Sequence, residues 1–279
     1  MALRRSIYKS PAQLRAMVEP GLITAAALDA VRALVRPGVT TLELDAEASR
    51  IITSRGARSN FQLVRGYRHT VCTSVNEQVV HGIPGSRVLE PGDIVSIDAG
   101  AEYKGWNGDS AITIVVPDPA RPALVAQREK LSWVTEGSLW AGIAALASAR
   151  HLGEVGVAVQ EHIEANAPDG GYGILRDYVG HGIGRRMHES PSVFNYRVPD
   201  PGAEVRPGLA VAIEPMVVAG DQATFVEDDD WTVSTLDGSV GSHWEHSVAV
   251  HDGGIWVLTA PDGGAEGLAP FGVIPAPIA

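Results

Sequence analysis

Leu89-Glu90-Pro91-Gly92-Asp93-Ile94-Val95-Ser96-Ile97-Asp98 opens with a Pro-Gly turn, continues as an alternating segment and ends on an acid. At a period of two, Ile94, Ser96 and Asp98 share one strand face while Val95 and Ile97 point to the other. An acid on an otherwise small and apolar strand needs a partner, because an isolated buried carboxylate is expensive. Val205-Arg206-Pro207-Gly208-Leu209-Ala210-Val211-Ala212-Ile213-Glu214 repeats the pattern, with the same Pro-Gly opening and an acid at the same offset.

The duplication extends outward from these strands. His81-Gly82-Ile83 precedes the first copy and His181-Gly182-Ile183 the second, while Asp109-Ser110-Ala111-Ile112-Thr113-Ile114 matches Glu245-His246-Ser247-Val248-Ala249-Val250. Two related halves, each donating a His-bearing turn and two acid-bearing strands, would bring four carboxylates together at a pseudo-twofold centre. Four carboxylates cannot all stay charged at close quarters without cations between them, and a two-metal site is the simplest resolution. Asp98, Asp109, His181, Glu214 and Glu245 form an oxygen-rich ligand set with one imidazole, which suits Mn, Fe(II), Co or Zn rather than a thiolate-preferring centre.

Composition narrows the class. The 279 residues suffice for one large domain or two small ones, and the 45% hydrophobic and 20% charged fractions are those of a globular chain. A formal charge of −11 argues against general binding to nucleic acid or anionic membranes. Cys72 is the single cysteine, so neither an intrachain disulfide nor a zinc finger can form. No apolar run reaches the ~18 residues of a membrane span, and the basic start Ala2-Leu3-Arg4-Arg5 lacks a signal-peptide apolar core. A reducing cytoplasm is the expected compartment.

Along the chain, Ser10-Pro11-Ala12-Gln13 reads as a capping box opening a helix, in which Pro20-Gly21 should cause a kink or a restart. Thr40-Thr41-Leu42-Glu43 caps a second helix that stops at Gly56. Strands and hairpins follow from about Asn60 to Val116, and proline-rich Pro117 to Pro122 joins the halves. Two helices, roughly Leu124 to Ser148 and Leu152 to Asn166, precede strands over most of Tyr172 to Leu258. The pattern predicts an α+β fold, helices packed on a curved antiparallel sheet. Residues 1–260 are expected to form a single domain, with halves at about 10–116 and 123–258. The Gly- and Pro-rich tail, 261–279, is expected on the surface or disordered, with Phe271 and Ile274 available to pin it.

Plainer readings exist for several of these residues. His188, in Met187-His188-Glu189-Ser190-Pro191, is by spacing either a functional or a surface histidine, and His81 rests on the repeat alone. The Gly180-His181-Gly182-Ile183-Gly184 run lacks the Walker lysine and the dinucleotide spacing, so its glycines are read as allowing close backbone approach around His181. Cys72 is a core thiol or lines a pocket, and Trp231, after Asp228-Asp229-Asp230, is an edge-strand aromatic or lines one too.

Taken in order, Val75-Asn76-Glu77, His81-Gly82-Ile83-Pro84, Ser96-Ile97-Asp98, Gly108-Asp109, Gly180-His181-Gly182-Ile183-Gly184, His188-Glu189, Ile213-Glu214-Pro215-Met216 and Glu245-His246 resemble bacterial type I methionine aminopeptidase. The similarity runs from about Ser10 to Leu258. It implies the pita-bread fold, two pseudo-symmetric halves around a dinuclear centre, and removal of N-terminal methionine before a small second residue. It also implies that Asp98 chelates one metal, Asp109 and Glu245 bridge both, and His181 and Glu214 complete the second site. Glu214 would be the general base, with His81 and His188 contacting substrate, and Tyr67, Cys72, Trp231 and Phe61 lining the methionine pocket. Phe61, Val64 and Met187 depart from the residues usual at those positions, which bears on pocket shape and not on the ligands. The implied partners are nascent polypeptide N-termini, with a transient ribosome contact, no membrane, and a monomeric enzyme. Met1-Ala2 itself fits the cleavage rule. The rivals are an Xaa-Pro aminopeptidase or dipeptidase on the same fold and a metal-free binding protein.

Overall fold

A computed structural model describes residues 6–279; the Met1-Ala2 expectation lies outside them. Helix α1 (Pro11–Leu34) begins where the capping box predicts: Ser10 N–H donates to Gln13 Oε1 at 2.8 Å, and Gln13 N–H to Ser10 Oγ at 3.4 Å. Helix α2 (Thr41–Ser54) repeats the device with Thr40 and Glu43. Each such cap is worth ~1 kcal/mol.

Helix α1 is continuous across Pro20-Gly21, so the restart that the pair allowed does not occur. An interior proline forfeits a backbone hydrogen bond at a cost of ~3 kcal/mol, and here close packing offsets it. A Cβ on Gly21 would lie 2.2 Å from the Leu258 carbonyl oxygen, and one on Gly108 would lie 2.7 Å from Gly21 Cα. Thr24 Oγ1 fastens the same turn, donating to the Pro20 carbonyl at 2.9 Å and accepting from Ala101 N–H at 3.1 Å. The pair therefore marks where α1 is pressed onto the sheet.

That sheet has nine strands, every pairing antiparallel. Its order runs Arg58–Ser59, Ile94–Tyr103, Trp106–Val115, Glu245–His251, Ala210–Ile213, Gly180–Gly182, Glu189–Val193. Val71–Val75 joins at Ile94–Tyr103, and Gly254–Val257 at Glu245–His251. Helix α1 packs on the strands carrying Asp98 and Asp109, with α2 beside it; α3 (Pro122–Leu146) and α4 (Gly153–Asn166) pair and cover the other half. The halves meet where Glu245–His251 pairs with Trp106–Val115, so the two acid-led segments lie side by side.

Register sets the site. Cys72 is opposite Asp98, Asp98 opposite Ala111, and Ala111 opposite Glu245, one row across four strands. Directly opposed residues share a face, and the small Ala111 leaves room between the two acids. Asp109 is two residues from Ala111 on that same face. Because His246 pairs with Ile213, Glu214 lies next along the chain toward Glu245.

The tail is ordered where disorder was one expectation. Ala265–Leu268 forms a helical turn whose Leu268 is fully buried, and Ala276 N–H donates to the Ile255 carbonyl at 3.0 Å. Phe271 and Ile274, the anticipated anchors, are exposed, Ile274 at 89%. No helix among the described residues is long and apolar enough to cross a membrane.

Candidate metal centre

Three groups of side chains have ligand atoms close enough to share an ion: Asp98, Asp109 and Glu245; His181, Glu214 and Glu245; and Asp109, His181 and His188. All five sequence-predicted ligands occur in these groups, and Asp109, His181 and Glu245 each belong to two of them. His181 Nε2 lies 3.4 Å from Glu214 Oε1 and 4.0 Å from Asp109 Oδ2. Its Nδ1 sits 3.0 Å from the Gly182 carbonyl, which accepts and cannot donate, so Nδ1 carries the proton. Nε2 is therefore left with its lone pair facing two carboxylates, an arrangement that needs a cation between them.

The donor set fits divalent metal. Asp98 Oδ1, Asp109 Oδ1 and Glu245 Oε1 are buried without a hydrogen-bond partner, a costly condition for carboxylate oxygens that an ion removes. Burial pushes the Asp98 carboxyl up to about 7. Burial and then neighbouring acids hold Asp109, Glu214 and Glu245 well above the usual carboxylate range. Burial, with His188 adding to it, pushes His81 and His181 down to about 4; burial and His81 push His243 down to about 3.

These shifts predict how the metal-stripped protein responds to pH. Unfolded carboxyls lose their protons near pH ~4, whereas the folded ones retain theirs. Their contribution to stability is thus full below the unfolded values and lost as pH rises through the folded ones. The buried histidines act in the opposite sense, costing stability only as pH falls below ~6.5. Above that point the carboxylate trend stands alone. The melting temperature of the stripped protein should fall as pH rises above about 6.5 and through about 7, the Asp98 value, and added divalent metal should flatten the fall. A stripped protein whose melting temperature is level across that window would contradict the crowded carboxylates.

Beside the acids, Phe61, Tyr67, Cys72 and Met187 form a separate buried apolar cluster, with Val64, Ile83 and Trp231 partly buried against it. Tyr67 stacks edge-on to Trp231 at 5.0 Å and lies 6.0 Å from Phe61. Cys72, directly opposite Asp98, ties this cluster to the acids. Burial, reinforced by Asp98, raises the Cys72 thiol, so it is a neutral wall and not a nucleophile. His188 stands edge-on to His181 with ring centroids 4.4 Å apart. His81 packs edge-on to Tyr178 at 5.6 Å. The His81 backbone has φ +60°, a left-handed conformation that a non-glycine residue adopts only where its surroundings hold it.

Two residues at the site stand outside the sequence reading. Ile83 belongs to the apolar cluster, and His243 is a third imidazole at the acids, its Nε2 3.9 Å from Glu214 Oε2 and 4.0 Å from Glu245 Oε2. The available clue to His243 was its place two residues before Glu245, the spacing at which extended residues share a face.

The comparisons with known proteins agree with this geometry. Metallopeptidase family M24 matches residues 15–252. Methionine aminopeptidase 1 of Mycobacterium tuberculosis is 45% identical over 254 residues, 90% of this chain and 94% of that protein. Methionine aminopeptidase 1 of Bacillus subtilis is 40% identical over 253 residues, 91% of this chain and 98% of that one. The crystal structure of methionine aminopeptidase from Thermotoga maritima superposes with a TM-score of 0.83 at 37% identity, covering 90% of this chain and 98% of that chain. The helices on a curled antiparallel sheet are the pita-bread arrangement that the resemblance implies. With the fold and nearly the whole length in common, this chain belongs to metallopeptidase family M24 and, within it, to the methionine aminopeptidases.

Proposed function

We propose that this protein removes the N-terminal methionine from polypeptides whose second residue is small, using two divalent ions. The observation that carries this reading is the junction of four crowded carboxylates with an apolar cluster, joined at the Cys72–Asp98 pair. Asp98, Asp109, His181, Glu214 and Glu245 would hold the ions, since their ligand atoms fall into overlapping groups that share Asp109, His181 and Glu245. Mn, Fe(II), Co and Zn all suit this donor set. The proposed substrates are nascent chains in the cytoplasm, met by a monomer in transient contact with the ribosome.

Bound divalent ions supply Lewis acidity, polarising the scissile carbonyl and making hydroxide available near neutral pH. The protein positions everything else. The slot of Phe61, Tyr67, Cys72 and Met187 seats the thioether side chain and excludes water, with Trp231 at its partly buried edge. Glu214 accepts the proton of the attacking water at a carboxylate oxygen and passes it to the departing amine. His188 donates to the oxyanion that develops on the carbonyl, and His81 stands near the leaving nitrogen. His188→Ala should lower kcat about 10²-fold; an unchanged kcat would leave His188 without a part in the reaction.

Selectivity is the direct test. Met-Ala-Ser should be cleaved faster than Leu-Ala-Ser by roughly 10-fold or more, since one misfitted methylene-sized group alters binding by ~1–3 kcal/mol. Met-Lys-Ser should be poor, because a bulky second residue meets the acids and His81. Equal rates on all three would remove the methionine slot, and preferential cleavage of Ala-Pro-Ser would make the protein an Xaa-Pro aminopeptidase.

A further inference from the structure

We propose that His243 is a positioning residue whose Nε2–H is directed between Glu214 and Glu245 and fixes the orientation of both carboxylates. The inference rests on the metal-dependent reading above, and it adds a group that none of the three ligand sets contains.

The His243 ring is buried, and its Nε2 has no hydrogen-bond partner. The polar atoms it faces are the Oε2 atoms of Glu214 at 3.9 Å and Glu245 at 4.0 Å. A nitrogen aimed between two carboxylate oxygens holds its proton there, since a lone pair would add a third repulsion. Both separations are about 1 Å beyond a charge-assisted hydrogen bond. One bridging water or a small turn of either carboxylate closes that gap.

The backbone beneath the ring is held with unusual thoroughness. His243 N–H is 3.1 Å from Ser96 Oγ and 3.0 Å from Thr113 Oγ1, while Thr113 Oγ1 donates to the His243 carbonyl at 2.7 Å. Ser96 and Thr113 face each other across the paired strands, their hydroxyls 2.9 Å apart, and Ser242 Oγ lies 3.2 Å from Thr113 Oγ1. All three hydroxyls are buried. Buried hydroxyls are costly unless bonded, and these spend their bonds clamping His243 to the strands that carry Asp98 and Asp109. Ser96 is two residues before Asp98, on its face. The clamp therefore sets the height of the imidazole against the acids.

This arrangement assigns a job to each carboxylate oxygen. One oxygen of Glu214 and one of Glu245 face the imidazole, leaving Glu214 Oε1 toward His181. Groups that orient ligands in this way typically contribute 10–100-fold to metal affinity or activity when removed.

The test uses the full-length protein stripped of metal, titrated with Co(II) or Mn(II) by calorimetry, with the Co(II) absorption spectrum as a second readout. His243→Ala should weaken affinity about 10–100-fold, keep the same number of ions, alter the Co(II) d–d bands, and lower kcat on Met-Ala-Ser more than it raises KM. His243→Gln, whose amide donates from a similar reach, should recover most of the affinity and the spectrum, while His243→Leu, of similar volume without a donor, should not. Comparison of the Gln and Leu variants decides the matter even if the alanine variant fails to fold. Wild-type affinity and spectrum in His243→Leu would overturn the proposal, as would Gln performing no better than Leu. Loss of one ion equivalent would make His243 a ligand, which also overturns it. Asp109→Asn measured in parallel separates the two readings: if it binds metal normally the metal centre itself fails, whereas if it loses metal and the His243 variants do not, only the His243 role fails.

Discussion

Asp109→Asn should cut metal occupancy and reduce turnover of Met-Ala-Ser by at least about 10³-fold, because a metal centre contributes several kcal/mol and each 1.36 kcal/mol is a factor of ten. Asp109 is buried, lies opposite Gly100, and shares its ligand atoms with both ends of the cluster. Asparagine keeps the shape and one acceptor but gives up the charge that two cations would share. The backbone on either side is independently secured, since Asp109 N–H is 3.1 Å from Ser247 Oγ and the Asp109 carbonyl accepts from that hydroxyl at 2.8 Å. The strand should therefore stay in place. Neutralising one of four crowded acids should even raise the melting temperature of the stripped protein, which distinguishes loss of function from loss of fold. Turnover near wild type with metal supplied would sink the two-ion reading.

Glu214→Gln should lose about 10²–10⁴-fold in kcat with KM nearly unchanged, the range for a general base acting in the transition state. The residue follows the strand Ala210–Ile213, and its carbonyl accepts from Asn195 Nδ2 at 2.9 Å, so its side chain leaves a fixed backbone. Glutamine matches its size and can still offer an oxygen to a metal, but its amide cannot take up the proton. Some loss of affinity at the His181 side is expected as well, and saturating metal in the assay removes that contribution. A rise in KM alone would make Glu214 a substrate contact and leave the proton without an acceptor.

The five candidate ligand positions could be picked out of the sequence because each sits on a short element whose local signals are strong. Pro91-Gly92 and Pro207-Gly208 start the strands, the period of two orients the side chains, and duplication brings four acids to one centre. Helix starts at Ser10 and Thr40 were legible for the same reason: a capping box is settled within four residues. Motif resemblance then supplied the family, the expected roles of His81 and His188, and the candidate slot residues Phe61, Tyr67, Cys72 and Trp231.

What only the tertiary structure decided depends on contacts between distant segments. Pro20-Gly21 carries the local mark of a kink or restart, yet α1 is continuous through it where the backbone at Gly108 and Leu258 presses against that turn. The tail looks unstructured by composition, but Leu268 and Ala276 hold it to the body. The apolar cluster gathers residues from the Phe61, Tyr67, Cys72, Ile83, Met187 and Trp231 segments, and no periodicity relates one of these to another. His243 looks like an ordinary strand histidine until the Ser96–Thr113 hydroxyls lock its backbone beside Glu214 and Glu245. Sequence spacing determines which way a side chain points from its own strand, whereas which side chains meet there depends on interstrand register and close packing across more than a hundred intervening residues.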